Sequence, residues 1–283
     1  MKGWKYYNHA LLPATAPHIP VDTSLIKNTG GWGLRVLFAR WTSHYDCGHE
    51  TDWWFCVKDK PFDISGLNAN RRRKINLGNK NFEVCIINPN EYAEQLTNIL
   101  MEANASYPIV NKKKYSKIEL KNEFEYQTFD NRIFYGAFSK LTGNLCGYTV
   151  INNENDGCIG LETHKSIPEY ERLNVNAALI YKVIMDYNFK LSKKYYINDG
   201  ERNVLHTTGF QAYLEKYFGF RKAYCYLHLK YCLWLRLFVA LLFPLRKFLF
   251  SFKKNRLIIL FCAILRMEEI SRNRIEKYGK KSE

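Results

Sequence analysis

The stretch "NDGERNVLHTTGFQAYLEKYFGFRKAY", residues 198–224, decides how this chain folds. Polar and charged groups open it: Asp199, Glu201, Arg202 and His206. "VLHTTGFQAYLEKYF" then reads as a helix, closed by Gly219-Phe220, where glycine takes the left-handed backbone that ends a helix at no Cβ cost. "FRKAYCYLHLKYCLWL" follows as a long strand, and "KYYIND" (194–199) precedes the loop as another. Strand, polar loop, helix and strand in this order place the loop at the carboxyl end of a strand.

Upstream, "RIFYGAFS" (132–139), "LCGYTVIN" (145–152) and "GCIGLETH" (157–164) read as three strands. "KLTGN" and "NEND" join them as hairpins. "SIPEYERLNVNAALIYKVIMDYNFKLS" reads as helical, with Pro168 in a first turn and Asn174 or Asn176 as cap. Further back come a strand at 81–89 and a helix at 90–107 capped by Asn90. A second helix falls within 111–127, and "LNANRRRKINLGNK" (67–80) reads as a basic helix or turn. "GLRVLFARW" (33–41) and "DWWFCVKD" (52–59) read as strands joined by a hairpin loop. Residues 1–32, punctuated by Pro13, Pro17, Pro20 and Gly30-Gly31, read as an extended segment. Hairpin-linked strands alternate with helices that must carry crossovers, so the class is α/β or α+β, with a mixed, mostly antiparallel sheet flanked by helices.

Composition agrees with a folded core. The 283 residues are 47% hydrophobic and 16% aromatic, which excludes a disordered chain. The net charge is +15, and residues 231–283 hold twelve Lys/Arg against four Asp/Glu. That surplus suits an anionic partner: phosphates, nucleic acid or an acidic membrane leaflet. The eight cysteines show no C-x-x-C spacing, so reduced intracellular thiols are expected. No secretory pattern opens the sequence. The run 237–245 is far short of the roughly 20 apolar residues that span a bilayer.

The order of elements resembles the GNAT fold of coenzyme A-dependent N-acyltransferases, and within it the branch of Fem-type aminoacyltransferases and FemAB-like acetyltransferases. The likeness covers roughly residues 80–230. It implies an annex at 1–79 with a β-hairpin, a GNAT-like domain at 80–230 and a basic, amphipathic helical tail at 231–283. GNAT proteins hold the coenzyme A pyrophosphate on an Arg/Gln-x-x-Gly-x-Gly/Ala loop at the start of the crossover helix. "RLNVNA" puts Arg172, Asn174, Val175, Asn176 and Ala177 there, with Val175 where the first glycine belongs. Free N–H groups at a helix start favour phosphate, whereas a β-branched residue disfavours φ > 0 and crowds the approach. The resemblance also sets "EKYFGFRKAY" beside the family's last helix and final strand.

A GNAT-type reaction needs a base, a polarised carbonyl and a proton for the leaving thiolate. By position the resemblance makes Asp199, Glu201, His206 and Glu162 the acid–base candidates, with Tyr224, and Tyr226 beside it, as acids. Each has a plainer reading: Asp199-Gly200 as a turn pair, Glu201 and Arg202 as an ion pair, the tyrosines as packing. Arg71, Arg73 and Arg202 are the candidates for phosphates or a carboxylate on the acceptor. His44, Asp46, Cys47 and His49 are zinc-ligand types, but their spacing matches no strong zinc pattern, and no metal is expected.

The expected activity is therefore transfer from acetyl-coenzyme A or another acyl-coenzyme A to an amine, with an amino sugar or lipid-linked saccharide of envelope polysaccharide synthesis as acceptor. An aminoacyl-tRNA-dependent enzyme of the Fem type, and a non-catalytic domain that binds a partner or membrane, are the alternatives. The segment 233–267 alternates apolar bursts with Arg236, Arg246, Lys247, Lys253, Lys254 and Arg256. It reads either as helices packing on the domain or a second copy, or, favoured by its charge, as a surface resting on anionic headgroups. The expected location is the cytoplasm, peripheral on the inner face of the membrane.

Overall fold

The computed structural model describes residues 3–27, 32, 35–106, 116–126, 130–154, 156–204, 209–250 and 256–278. In chain order the first elements are β1 (Trp4–Tyr7), β2 (Ala10–Pro13), β3 (Phe38–Ser43), β4 (Trp53–Lys58), α1 (Ala69–Asn81), β5 (Phe82–Ile87), α2 (Ala93–Ala105) and α3 (Lys117–Tyr126). Then come β6 (Arg132–Ser139), β7 (Leu145–Glu154), β8 (Cys158–Ser166), α4 (Pro168–Glu171), α5 (Val175–Tyr187), β9 (Tyr196–Glu201) and α6 (Gly209–Phe218). The last are β10 (Arg221–Tyr231), α7 (Leu233–Leu242), α8 (Arg246–Leu249) and α9 (Arg256–Tyr278). They form two compact units.

The second unit, Val57–Gly200 with Phe210–Arg221, holds strands β5 to β9. β5, β6, β7 and β8 pair antiparallel, and β9 joins β8 in parallel. Alternation divides the side chains between two layers. Phe134, Tyr148 and Val150 meet Leu96 and Ile99 of α2 and Phe124 of α3 on one face. On the other, α5 packs on β5, β6 and β7. It buries Leu179, Ile180, Val183 and Ile184 among others, each such side chain worth about 1.5–3 kcal/mol. A parallel pair needs a crossover, and α5 is the helix that carries it from β8 to β9.

Local chemistry explains the helix ends, with some departures from expectation. The basic segment is a full helix, α1, and Asn68 caps it by accepting from Arg71 N at 3.0 Å. Asn90 does not cap α2, which begins at Ala93. Its amide instead donates to the carbonyls of Phe124 (2.9 Å) and Glu125 (2.6 Å), which a helix end leaves without partners. Asn174 does not cap α5 through its side chain either. It takes φ +65°, and its backbone oxygen accepts from Ala177 N (3.1 Å) and Ala178 N (3.2 Å).

The first unit, Met1–Cys56, Glu201–Gly209 and Lys222–Glu283, carries the strand order β1-β2-β3-β10-β4. The expected hairpin between β3 and β4 is therefore not made, because β10 lies between them and pairs antiparallel with β3. Hairpin strands sit one spacing of about 4.8 Å apart; the link 44–52 is long enough to bridge two. The hairpin of this region is β1–β2, within the segment expected to be merely extended. Its turn residues, Asn8 (φ 45°) and His9 (φ 64°), have the positive φ of a tight hairpin loop. The last strand also stops earlier than expected: alternation ends at Tyr231 and α7 begins at Leu233. Leu235 and Val239 of α7 pack with Leu265 of α9. No described helix is long and apolar enough to cross a membrane.

Gly78 sets the distance between α1 and α5. A Cβ there would come within 2.6 Å of the Asn174 carbonyl oxygen and 3.1 Å of Ala178 N. Both are backbone atoms and cannot swing aside. Gly78→Ala is therefore expected to destabilise the protein by about 1–3 kcal/mol in chemical denaturation, although alanine is the better helix former. Gly209→Ala, where a Cβ meets nothing within 4 Å, is the control. It should be neutral or stabilising by up to about 1 kcal/mol.

Candidate functional site

The ladder between β8 and β9 is short. Only Cys158↔Tyr196, Ile159↔Ile197 and Gly160↔Asn198 pair, although β8 runs on to Ser166. Both strands bend where the pairing stops. On β8, Val150 pairs with Thr163 and the next β7 residue, Ile151, with Leu161, so Glu162 is an extra, bulged residue that turns the strand. On β9, Gly200 has φ +90°, and its N–H donates to Asn198 Oδ1 at 2.9 Å. Two parallel strands that part in this way leave backbone groups free of the ladder, as carbonyl polarisation in an acyl transfer requires.

Asp199 follows the last paired residue of β9. Burial pushes its carboxyl up to about 7, against a hydrogen bond from Gln211 that lowers it. Water stabilises a carboxylate more than a single amide can, so burial prevails. On β8, His164 lies beyond the last rung. Its Nε2 meets Asn176 Oδ1 at 2.9 Å, and its ring stacks on Phe210 with centroids 4.9 Å apart. Burial pulls this imidazole down to about 4, outweighing the Asn176 bond. With Nε2 donating to Asn176, Nδ1 presents a lone pair, and that atom is buried without a protein partner. The first turn of α6 thus serves both groups, Phe210 over His164 and Gln211 on Asp199.

The start of α5 is the third component. Arg172 is exposed, Asn174 is the left-handed residue, and Val175 is helical and fully buried. The positive φ expected of the family's glycine thus falls on Asn174, a residue that tolerates it. The branched side chain of Val175 lies in the core. The first turn of a helix leaves N–H groups without intrahelical partners; here these belong to Val175 and Asn176, ahead of Ala177. Asn81 braces the turn by donating to the Leu173 carbonyl at 3.2 Å.

The remaining predicted residues are distributed as follows. Glu162 is exposed on its bulge, gripped by Arg132 Nε (2.6 Å) and Asn152 Nδ2 (3.2 Å). Arg71 and Arg73 lie on α1, half-buried and exposed respectively. Glu201, Arg202 and Tyr224 belong to the first unit. There Glu201 pairs with Arg40 at 3.0 Å. Arg202 donates to the Asp52 carbonyl at 2.6 Å and lies 4.6 Å from the Trp54 ring centre; burial, with Arg266 nearby, makes its proton easier to lose. Tyr224 donates to Glu50 at 3.3 Å, and Tyr226 meets His49 Nε2 at 2.9 Å. Cys47 Sγ is 3.8 Å from that same nitrogen. His206 lies outside the described residues. The sequence reading missed His164, Phe210 and Gln211. The only signal available was a histidine within a strand otherwise read as packing.

The second unit has a GNAT-like fold: antiparallel strands, a crossover helix to a parallel strand, and a sheet that parts beside the start of that helix. No family model and no curated protein matches the sequence. Among solved structures the chain is similar to L-PGS from Bacillus licheniformis, at 14% identity over 83% of this chain and 68% of that one, with TM-score 0.47. It is similar to FemX, at 9% identity over 60% of this chain and 59% of that one, with TM-score 0.41. It is also similar to a GNAT-family acetyltransferase from Staphylococcus aureus Mu50, at 18% identity over 38% of this chain and 67% of that one, with TM-score 0.31.

Asp199 makes a prediction about stability. Its carboxyl titrates near 7 in the fold, but in the ordinary carboxylate range, near 4, when unfolded. Between those values unfolding releases a proton, so this group's contribution falls as pH rises through that window and stays low above it. Asp199→Asn is expected to raise the melting temperature at about pH 8, because it stabilises the fold by at most a few kcal/mol at about 1.4 kcal/mol per tenfold change in proton affinity. Below the carboxylate range the two proteins should melt together. Scanning calorimetry across pH measures both.

Proposed function

We propose that this protein is an N-acyltransferase that moves an acyl group from acyl-coenzyme A to an amine. The observation that carries the reading is the opening of the β8–β9 ladder after Asn198, with Asp199 beside it titrating near 7. A base poised near neutrality is the tool for taking a proton from the neutral amine as it attacks. The amine nitrogen bonds to the thioester carbon, Asp199 takes its proton, the C–S bond breaks, and the thiolate leaves with that proton. The proton balance closes on Asp199.

The start of α5 suits the donor. Arg172 and the first-turn N–H groups of Val175 and Asn176 would hold the pyrophosphate, and the burial of Val175 removes its side chain from the approach. The acceptor in this reading is an amino sugar or a lipid-linked saccharide of polysaccharide synthesis, with Arg71 and Arg73 of α1 available to anionic groups on it. The place of action is the cytoplasm, at the inner face of a membrane where such a saccharide is presented.

Titration calorimetry with acetyl-coenzyme A tests the donor, and saturable heat is expected. No heat at about millimolar ligand would overturn the acyl-coenzyme A reading. Salt-sensitive tRNA binding would then point to an aminoacyl-tRNA donor, and its absence to a non-catalytic domain. For the chemistry, Asp199→Asn should keep donor binding and lower kcat by about 10²–10⁴-fold. The parent's rate should climb as pH rises through about 7, the value of its base, and the variant's should not. An unchanged rate would remove Asp199 from the mechanism.

A further inference from the structure

α7 is apolar except at Arg236. One stripe, Leu235 and Val239, is buried against the first unit. The opposite stripe faces solvent: Leu233 is 71% exposed, Trp234 52%, Leu237 65%, Phe238 51% and Leu241 71%. Leu245 and Phe248 continue it through α8. Large apolar groups that recur at one-turn spacing on an outer face form a contiguous patch, unlike the scattered leucines that any surface carries.

The exposed charges on α7 and α8 themselves have one sign. No Asp or Glu occurs between Glu215 and Glu268. Arg236 and Lys247 are exposed, and neither is ion-paired among the described residues. Arg246 differs, held by Glu269 at 3.0 Å, so its role is to fasten α8 to α9.

We propose that the outer stripe of α7 and α8 docks this protein on an anionic phospholipid surface, with Trp234, Leu237, Phe238 and Leu241 entering the headgroup boundary and Arg236 and Lys247 meeting lipid phosphates. This deepens the location given in the proposed function and does not depend on the acyl-transfer chemistry. An apolar stripe lying in the plane of the bilayer, flanked by cations, gains from both area and charge. A second copy of the chain is the poorer occupant. Its patch carries the same cations, and the stripe along α7 and α8 offers a footprint of roughly 25 Å by 10 Å, far below the ~800 Å² that each partner of a stable dimer covers.

Flotation with lipid vesicles tests the proposal on the full-length protein. Vesicles containing phosphatidylglycerol should carry the protein, and pure phosphatidylcholine vesicles should carry at least about tenfold less. Added salt should release it. Leu237→Glu with Phe238→Glu should abolish flotation, with the circular dichroism spectrum unchanged because both side chains are exposed. Arg236→Gln with Lys247→Gln should weaken it by about tenfold or more. Transfer to a soluble amine should be unaffected by either pair, so loss of docking and loss of the enzyme reading remain distinguishable. No flotation with anionic vesicles overturns the proposal. So does a concentration-dependent dimer in sedimentation that the glutamate pair dissolves, which would assign the face to a second copy.

Discussion

Two neighbouring strands that run in the same direction cannot be joined by a tight turn. That constraint organises the second unit. The chain leaves β8, must return to start β9 alongside it, and does so through α5. The start of α5 is thereby fixed near the carboxyl end of β8, and the ladder opens toward that end. A bulge at Glu162 and a left-handed Gly200 keep the opening from closing into more rungs. α1 then locks the crossover from outside, through the backbone contact that Gly78 permits. The fold of this unit and the opening in its sheet are consequences of one connection.

Electrostatics at the opening follow from the same burial. Asp199 is driven up and His164 down, so both are biased toward their neutral forms by one cause, loss of water. A carboxyl and an imidazole that would ordinarily carry opposite charges at pH 6 are therefore each biased toward the neutral form there. Keeping an ionisable acid buried works against stability at higher pH. Functional sites commonly carry such a cost, and a residue with this perturbation merits attention for that reason.

The last helices show the same competition between burial and exposure. α7 has more apolar surface than the first unit can cover, so one stripe enters the core and another remains outside. One side of α7 thus meets the packing reading, and the other presents the exposed apolar stripe on which the docking proposal rests.

Periodicity by itself determined the elements: the strands around residues 132–164, the crossover helix, the helix closed by Gly219 and the strand after it. The family resemblance, and not periodicity, singled out Asp199 and the turn 172–177 as candidates. Tertiary structure decided what depends on neighbours distant in sequence. It placed β10 between β3 and β4, although a polar loop between two strands looks like a hairpin from either end. It drew Asn90 away from α2 to the end of α3, and put a left-handed backbone at Asn174 while Val175 is helical. His164 became a buried base only when Phe210 and Asn176 closed over it. Local backbone preference is written residue by residue, whereas strand order, desolvation and orphaned polar atoms come from what the fold brings alongside.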